Sequence, residues 1–111
     1  MEIKESMEEL ESVNLNPINI EEISESKKLL GMTPKFKTMY LRFEKGMEVT
    51  GRSHEGYASL FVYKGKINIE FETGEKFTLV KGSYLAVDAR VKHSVSVEEP
   101  SEVVVTICFP D

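Results

Sequence analysis

His54 and His93 are the only histidines among 111 residues, and each sits in a short block framed by glycines. The first block reads Gly46-Met-Glu-Val-Thr-Gly-Arg52-Ser-His54-Glu-Gly-Tyr-Ala58 and runs on to Gly65. The second reads Gly82-Ser-Tyr-Leu-Ala-Val-Asp88-Ala-Arg90-Val-Lys-His93. Neutral imidazoles are hydrogen-bonding groups and transition-metal ligands. Two of them could chelate a metal if another donor reached in, and Glu48, Glu55, Tyr57 and Asp88 are the candidates. Arg52 points to a different chemistry. Side chains at i and i+2 of a strand share a face, which puts Arg52 beside His54. A guanidinium among imidazoles is a seat for a carboxylate or phosphate. It cannot ligate a metal, and it repels a divalent ion at close range. If buried, it needs a compensating charge, from a ligand or from an acid such as Asp88. If it curls to the mouth, it faces solvent.

Strands must hold these groups. From Lys35 onward the apolar period is two: Met39, Leu41 and Phe43, then Leu60 and Val62, then Ile67, Ile69 and Phe71, then Phe77 and Leu79. Val103, Val105, Ile107 and Phe109 continue it near the end. Glycines at 46, 51, 56, 65, 74 and 82 punctuate these runs. Short alternating runs at that rhythm predict an antiparallel β-sandwich or barrel, with a hairpin at Thr73-Gly74-Glu75. If Leu60 and Val62 face inward, Phe61 and Tyr63 face outward and need cover, from the N-terminal residues or a second subunit. Residues 1–30 read differently. Ile3, Met7 and Leu10 have helical spacing within Met1 to Ser12, Asn14 to Pro17 breaks that helix, and the pattern of Ser24 to Leu30 does not decide between helix and strand. Ile18, Ile20, Ile23 and Leu30 call for a surface to dock on.

Composition bounds the function classes. A chain of this length forms one domain. A net charge of −5, with no basic cluster, excludes a phosphate-backbone partner. No apolar run reaches membrane-spanning length, and the charged N-terminus lacks a secretory pattern. The single cysteine, Cys108, excludes an internal disulfide framework and fits a reducing, cytoplasmic setting. A lone late-strand cysteine reads as packing rather than as a nucleophile. No Ser-His-Asp order or nucleophile elbow is present.

The two blocks resemble the paired motifs of the cupin superfamily, in its small single-domain form. Gly46, His54 and Gly65 fall at the first motif's spacing, and Gly82 and His93 at the second's. Where that family places its other histidine and its glutamate, this chain has Arg52 and Ala58; its proline, glycine and asparagine positions hold Asp88, Arg90 and Val97. The resemblance covers about residues 30 to 109. It implies an all-β, antiparallel double-stranded β-helix (jelly-roll) at 31–111 behind an N-terminal arm at 1–30. It also implies that Arg52, His54, Ala58 and His93 point into one cavity, and that such barrels dimerise. The expected function is binding of an anionic metabolite or sugar derivative by Arg52, His54 and His93, with no native metal. Two alternatives stay open. One is a metal-dependent isomerase, decarboxylase or dioxygenase that holds a divalent transition metal with His54 and His93. The other is a non-catalytic dimerisation module.

Overall fold

A computed structural model describes residues 17–110, and only the backbone of residues 51 and 52. The helix expected near the N-terminus lies outside the described residues. Among them are one 3-10 turn (Ile20–Glu22) and seven strands: β1 (Lys27–Met32), β2 (Phe36–Phe43), β3 (Glu48–Arg52), β4 (Tyr57–Phe71), β5 (Lys76–Val80), β6 (Tyr84–Asp88) and β7 (His93–Cys108). Every pairing is antiparallel. The fold is all-β, as the alternation predicts.

The architecture follows from two long strands. β4 and β7 span 15 and 16 residues and pair from Ala58↔Ile107 to Phe71↔His93. Their outer edges recruit different partners along the way. The half of β4 before the corner pairs with β6, and the matching half of β7 with β2, which carries β1. Beyond the corner β4 pairs with β5, and β7 with β3. The result is a jelly-roll: two sheets sharing β4 and β7, curled over one core without closing into a ring.

Gly65 makes the corner possible. The register slips between Val62 and Ile67, and Gly65 adopts φ 99°, a conformation open to glycine. Opposite it, Pro100 lacks the N–H that a continuous ladder would require. Buried Ser101 ties the corner together: its hydroxyl accepts from Lys66 N at 2.9 Å and donates to Glu99 O at 2.7 Å. The slip also shifts the inward phase of β4, from Leu60 and Val62 to Ile67 and Ile69. Leu79, Val87, Ala89, Val97 and Val103 complete that core. Phe77 alternates with its neighbours as expected but stays 43% exposed, because β5 is an edge strand.

The sheet begins inside the segment expected to be an arm, since β1 starts at Lys27. Before it, Ile23 is buried at 7% exposure. Arg42 latches this stretch by donating to Ile23 O at 2.8 Å and Ser24 O at 3.2 Å. The same guanidinium lies 5.7 Å from the centre of the Tyr40 ring and donates through Nε to the Tyr40 hydroxyl at 3.1 Å. Tyr40 has no exposed surface, and its hydroxyl donates to Glu102 at 2.8 Å. Burial, reinforced by the Glu102 carboxylate, pushes that phenol above its ordinary range. Lys64 bridges Glu102 at 4.0 Å and Glu21 at 3.3 Å, and the Tyr63 hydroxyl donates to Glu21. The Tyr63 and Lys64 donors hold the Glu21 carboxyl below its ordinary range. Tyr63, one of the two outward aromatics, is thus met by the chain's own N-terminal segment.

Deleting residues 1–25 removes Ile23 from its site, a loss of about 2 kcal/mol of burial, and leaves Tyr40 and Arg42 without their cover. We expect a lower melting temperature with aggregation or a changed oligomer by light scattering. An unaltered mass and melting temperature would contradict this.

Candidate functional site

The two histidine blocks meet at one end of the jelly-roll. His93 opens β7, and its backbone pairs with that of Arg52 at the end of β3. His54 lies in the turn leading to β4, where its N–H donates to Ala89 O at 2.6 Å. In return Ala89 N–H donates to Gly56 O at 2.9 Å. These two bonds fasten the first block to the second. Gly56 is needed because the turn runs against the end of β7: a Cβ there would lie 2.9 Å from Cys108 O. The His93 ring has its Nδ1 3.0 Å from Val91 O and packs 5.7 Å from the Phe71 ring centre. Both imidazoles are half-buried.

His54, Ala58 and His93 line one cavity of about 260 Å³ between the sheets. Among the described residues, the eleven others that line it are all apolar, from Leu41 and Phe43 on β2 to Val103, Val105 and Ile107 on β7. Three positions at which the cupin motifs place ligands are therefore brought together: His54, His93, and Ala58 where a glutamate would stand. The fourth, Arg52, is placed by its backbone pairing with His93, and its side chain lies outside the described residues.

None of the other donor candidates lines this cavity. Glu48 faces a separate polar groove with Thr50, Ser94 and Ser96. Asp88 is engaged by Arg90, which donates to its two carboxylate oxygens at 2.8 Å and 2.7 Å. That guanidinium, with the Arg90 backbone N–H, holds the Asp88 carboxyl below its ordinary range. Arg90 also lies 5.2 Å from the centre of the Tyr57 ring and reaches its hydroxyl at 3.3 Å. Asp88 thus serves as the partner of Arg90, with Tyr57 stacked beside them on the rim. This cluster was not foreseen in the sequence. Its only signal is the Asp88-x-Arg90 spacing, which a turn converts into an ion pair. Cys108 faces solvent rather than packing inside, because it shares the outer phase of Thr106 on β7.

The donor chemistry can be set against the metal that the resemblance implies. A cupin centre needs three imidazole nitrogens and one carboxylate, a set suited to mid-series divalent metals. Here two imidazoles and a methyl group occupy those positions. Among the described residues no three His, Cys, Asp or Glu side chains come together. The residues present do not make the set. What the arrangement can do is bind: it offers an apolar chamber with two imidazoles as its polar lining.

The sequence matches no family model and no curated protein. Solved structures do match. A cupin superfamily protein from Desulfitobacterium hafniense superposes with a TM-score of 0.75 at 16% identity, over 87% of this chain and 94% of that one. An RmlC-like cupin from Desulfovibrio desulfuricans gives 0.74 at 21% identity, over 86% and 97%. A salicylate 1,2-dioxygenase from Pseudoaminobacter salicylatoxidans gives 0.61 at 23% identity, over 66% of this chain and 20% of that one. At these identities the likeness establishes the cupin fold, in the RmlC-like form, across most of the chain.

Proposed function

We propose that the protein is a small-molecule-binding cupin whose ligand enters the 260 Å³ cavity and presents an anionic group to His54 and His93, without a resident metal. Arg52, whose backbone pairs with that of His93, is the residue to which the proposal assigns the cation. One observation supports this reading: His54, Ala58 and His93 line a single cavity, and its described lining residues include no carboxylate. An anion takes the place that a metal would need a carboxylate to hold. Arg52→Gln and His93→Gln should each weaken binding of the best anion from a carboxylate and phosphate panel by about tenfold or more. Their melting temperatures should stay near that of the native protein. Unchanged affinity in both variants would remove the proposal.

A second reading has its own support. The Nδ1 of His93 is held at 3.0 Å from a backbone carbonyl, the kind of outer contact that orients metal-ligating histidines. On that reading the chain is a metal-dependent enzyme that uses His54 and His93. A role as a dimerisation module is the third.

The proposal includes a symmetric homodimer. Phe61, 37% exposed, faces Tyr84, 65% exposed, across β4 and β6, and together they offer an aromatic patch to a second copy. Sedimentation at tens of micromolar should give twice the chain mass, and a monomer there would reject this part.

A further inference from the structure

We infer that the ligand is a compact monocarboxylic acid with an apolar body, and not a sugar derivative. This rests on the cavity being the ligand site, as proposed above. The polarity of the cavity runs from one end to the other. Ile67 and Val103 in its lining have 0% and 1% exposure, so that end is closed and wholly hydrocarbon. His93, in contrast, also borders an outer groove with Glu70, Glu72 and Lys92. His54 sits in a turn between exposed Ser53 and Glu55. A ligand must therefore place its apolar part inward and its polar head at the imidazole end.

The head chemistry follows from His93. With Nδ1 committed to Val91 O, the neutral ring keeps its proton there and accepts through Nε2. A carboxylic acid donates to that nitrogen, and a carboxylate accepts from the protonated ring. Acid and imidazole thus share one proton in either form. A phosphate dianion fits less well, because the three carboxylates of Glu70, Glu72 and Glu55 outnumber Lys92 and Arg52 as the cations near that end, a balance that favours a single negative charge. A sugar fails on its body. Each hydroxyl carried among the apolar side chains described there loses its water partners and gains none from them, weakening binding by roughly tenfold or more. A volume of about 260 Å³ lies below the range of roughly 300–1,000 Å³ that holds drug-sized ligands, so the acid is small.

Calorimetric titration of the full untagged chain with straight-chain carboxylates, from propanoate to octanoate, tests this. Affinity should rise by roughly fourfold per added methylene until the chamber is full, with a negative heat-capacity change. The alcohol of equal length should bind at least tenfold more weakly, and a hexose phosphate not at all. Ala58→Leu, which fills the chamber, should abolish the binding; Val49→Phe serves if that variant does not fold. A hexose phosphate or an alcohol binding better than every carboxylate, and lost in Ala58→Leu, would overturn the inference and leave the cavity as the ligand site. Binding of none of these probes in a manner sensitive to both fillings would overturn the inference and the reading beneath it.

Discussion

Gly65→Ala is expected to lower the melting temperature by about 10 °C or more, the largest effect of an alanine at any of the described glycines. A Cβ at this position would lie 2.2 Å from Ser101 Oγ, 2.5 Å from Pro100 O and 2.6 Å from Ser101 Cα. Two of those three atoms are backbone, so no side-chain rotation relieves the clash. The φ of 99° adds strain for any residue with a side chain. Together these cost about 3 kcal/mol or more. Since β4 and β7 belong to both sheets, moving the corner would also disturb the cavity that they line. Gly74→Ala is the control. Its φ of 107° is equally unusual, but nothing lies within 4 Å of a Cβ there. We expect about 1 kcal/mol from that change. Equal melting temperatures for the two variants, measured by calorimetry, would contradict this account of the corner.

The second large effect comes from restoring the motif. Arg52→His with Ala58→Glu supplies the missing imidazole and carboxylate around His54 and His93. Without metal the double variant should be less stable than the native chain, because the carboxylate introduced at position 58 would set a charge against Ile107 and Val87 on the neighbouring strands. With nickel, manganese or zinc at a hundred times the dissociation constant, it should gain about 2.7 kcal/mol. The two shifts have opposite signs, which separates metal binding from general stabilisation. Each single variant should show less of the metal response. A double variant indifferent to all three metals would mean that these positions do not converge as the fold places them.

Much of this was legible in the residues. The phase change in β4, from Leu60 and Val62 to Ile67 and Ile69, encodes the corner, and Gly65 lies inside it. The glycine-framed blocks around His54 and His93 encode their convergence, because spacing along strands fixes which faces meet. The anion preference drawn from Arg52 belongs to a side chain outside the described residues and stays a proposal.

Other features depended on contacts that pattern cannot carry. β1 begins with Lys27-Lys-Leu-Leu, whose alternation is too weak to name a strand, and pairing with β2 decides it. The Arg90 cluster needs a turn that returns a guanidinium to Tyr57, thirty-three residues earlier. Tyr40 alternates in phase with half-buried Thr38 and exposed Arg42, yet is buried completely. Its burial depends on the N-terminal segment that Arg42 latches in place. The apolar chamber was only half legible: alternation names the inward residues, but not that they leave a cavity beside the two imidazoles.

The central claim is that the cavity of this jelly-roll works through its own side chains, without a bound metal. Elemental analysis of the full chain, purified without a chelating tag or added metal, tests it most directly. The account predicts transition metal far below one atom per chain, unchanged by His54→Ala. Near-stoichiometric metal that disappears in His54→Ala would contradict it and replace ligand binding with metal-dependent chemistry.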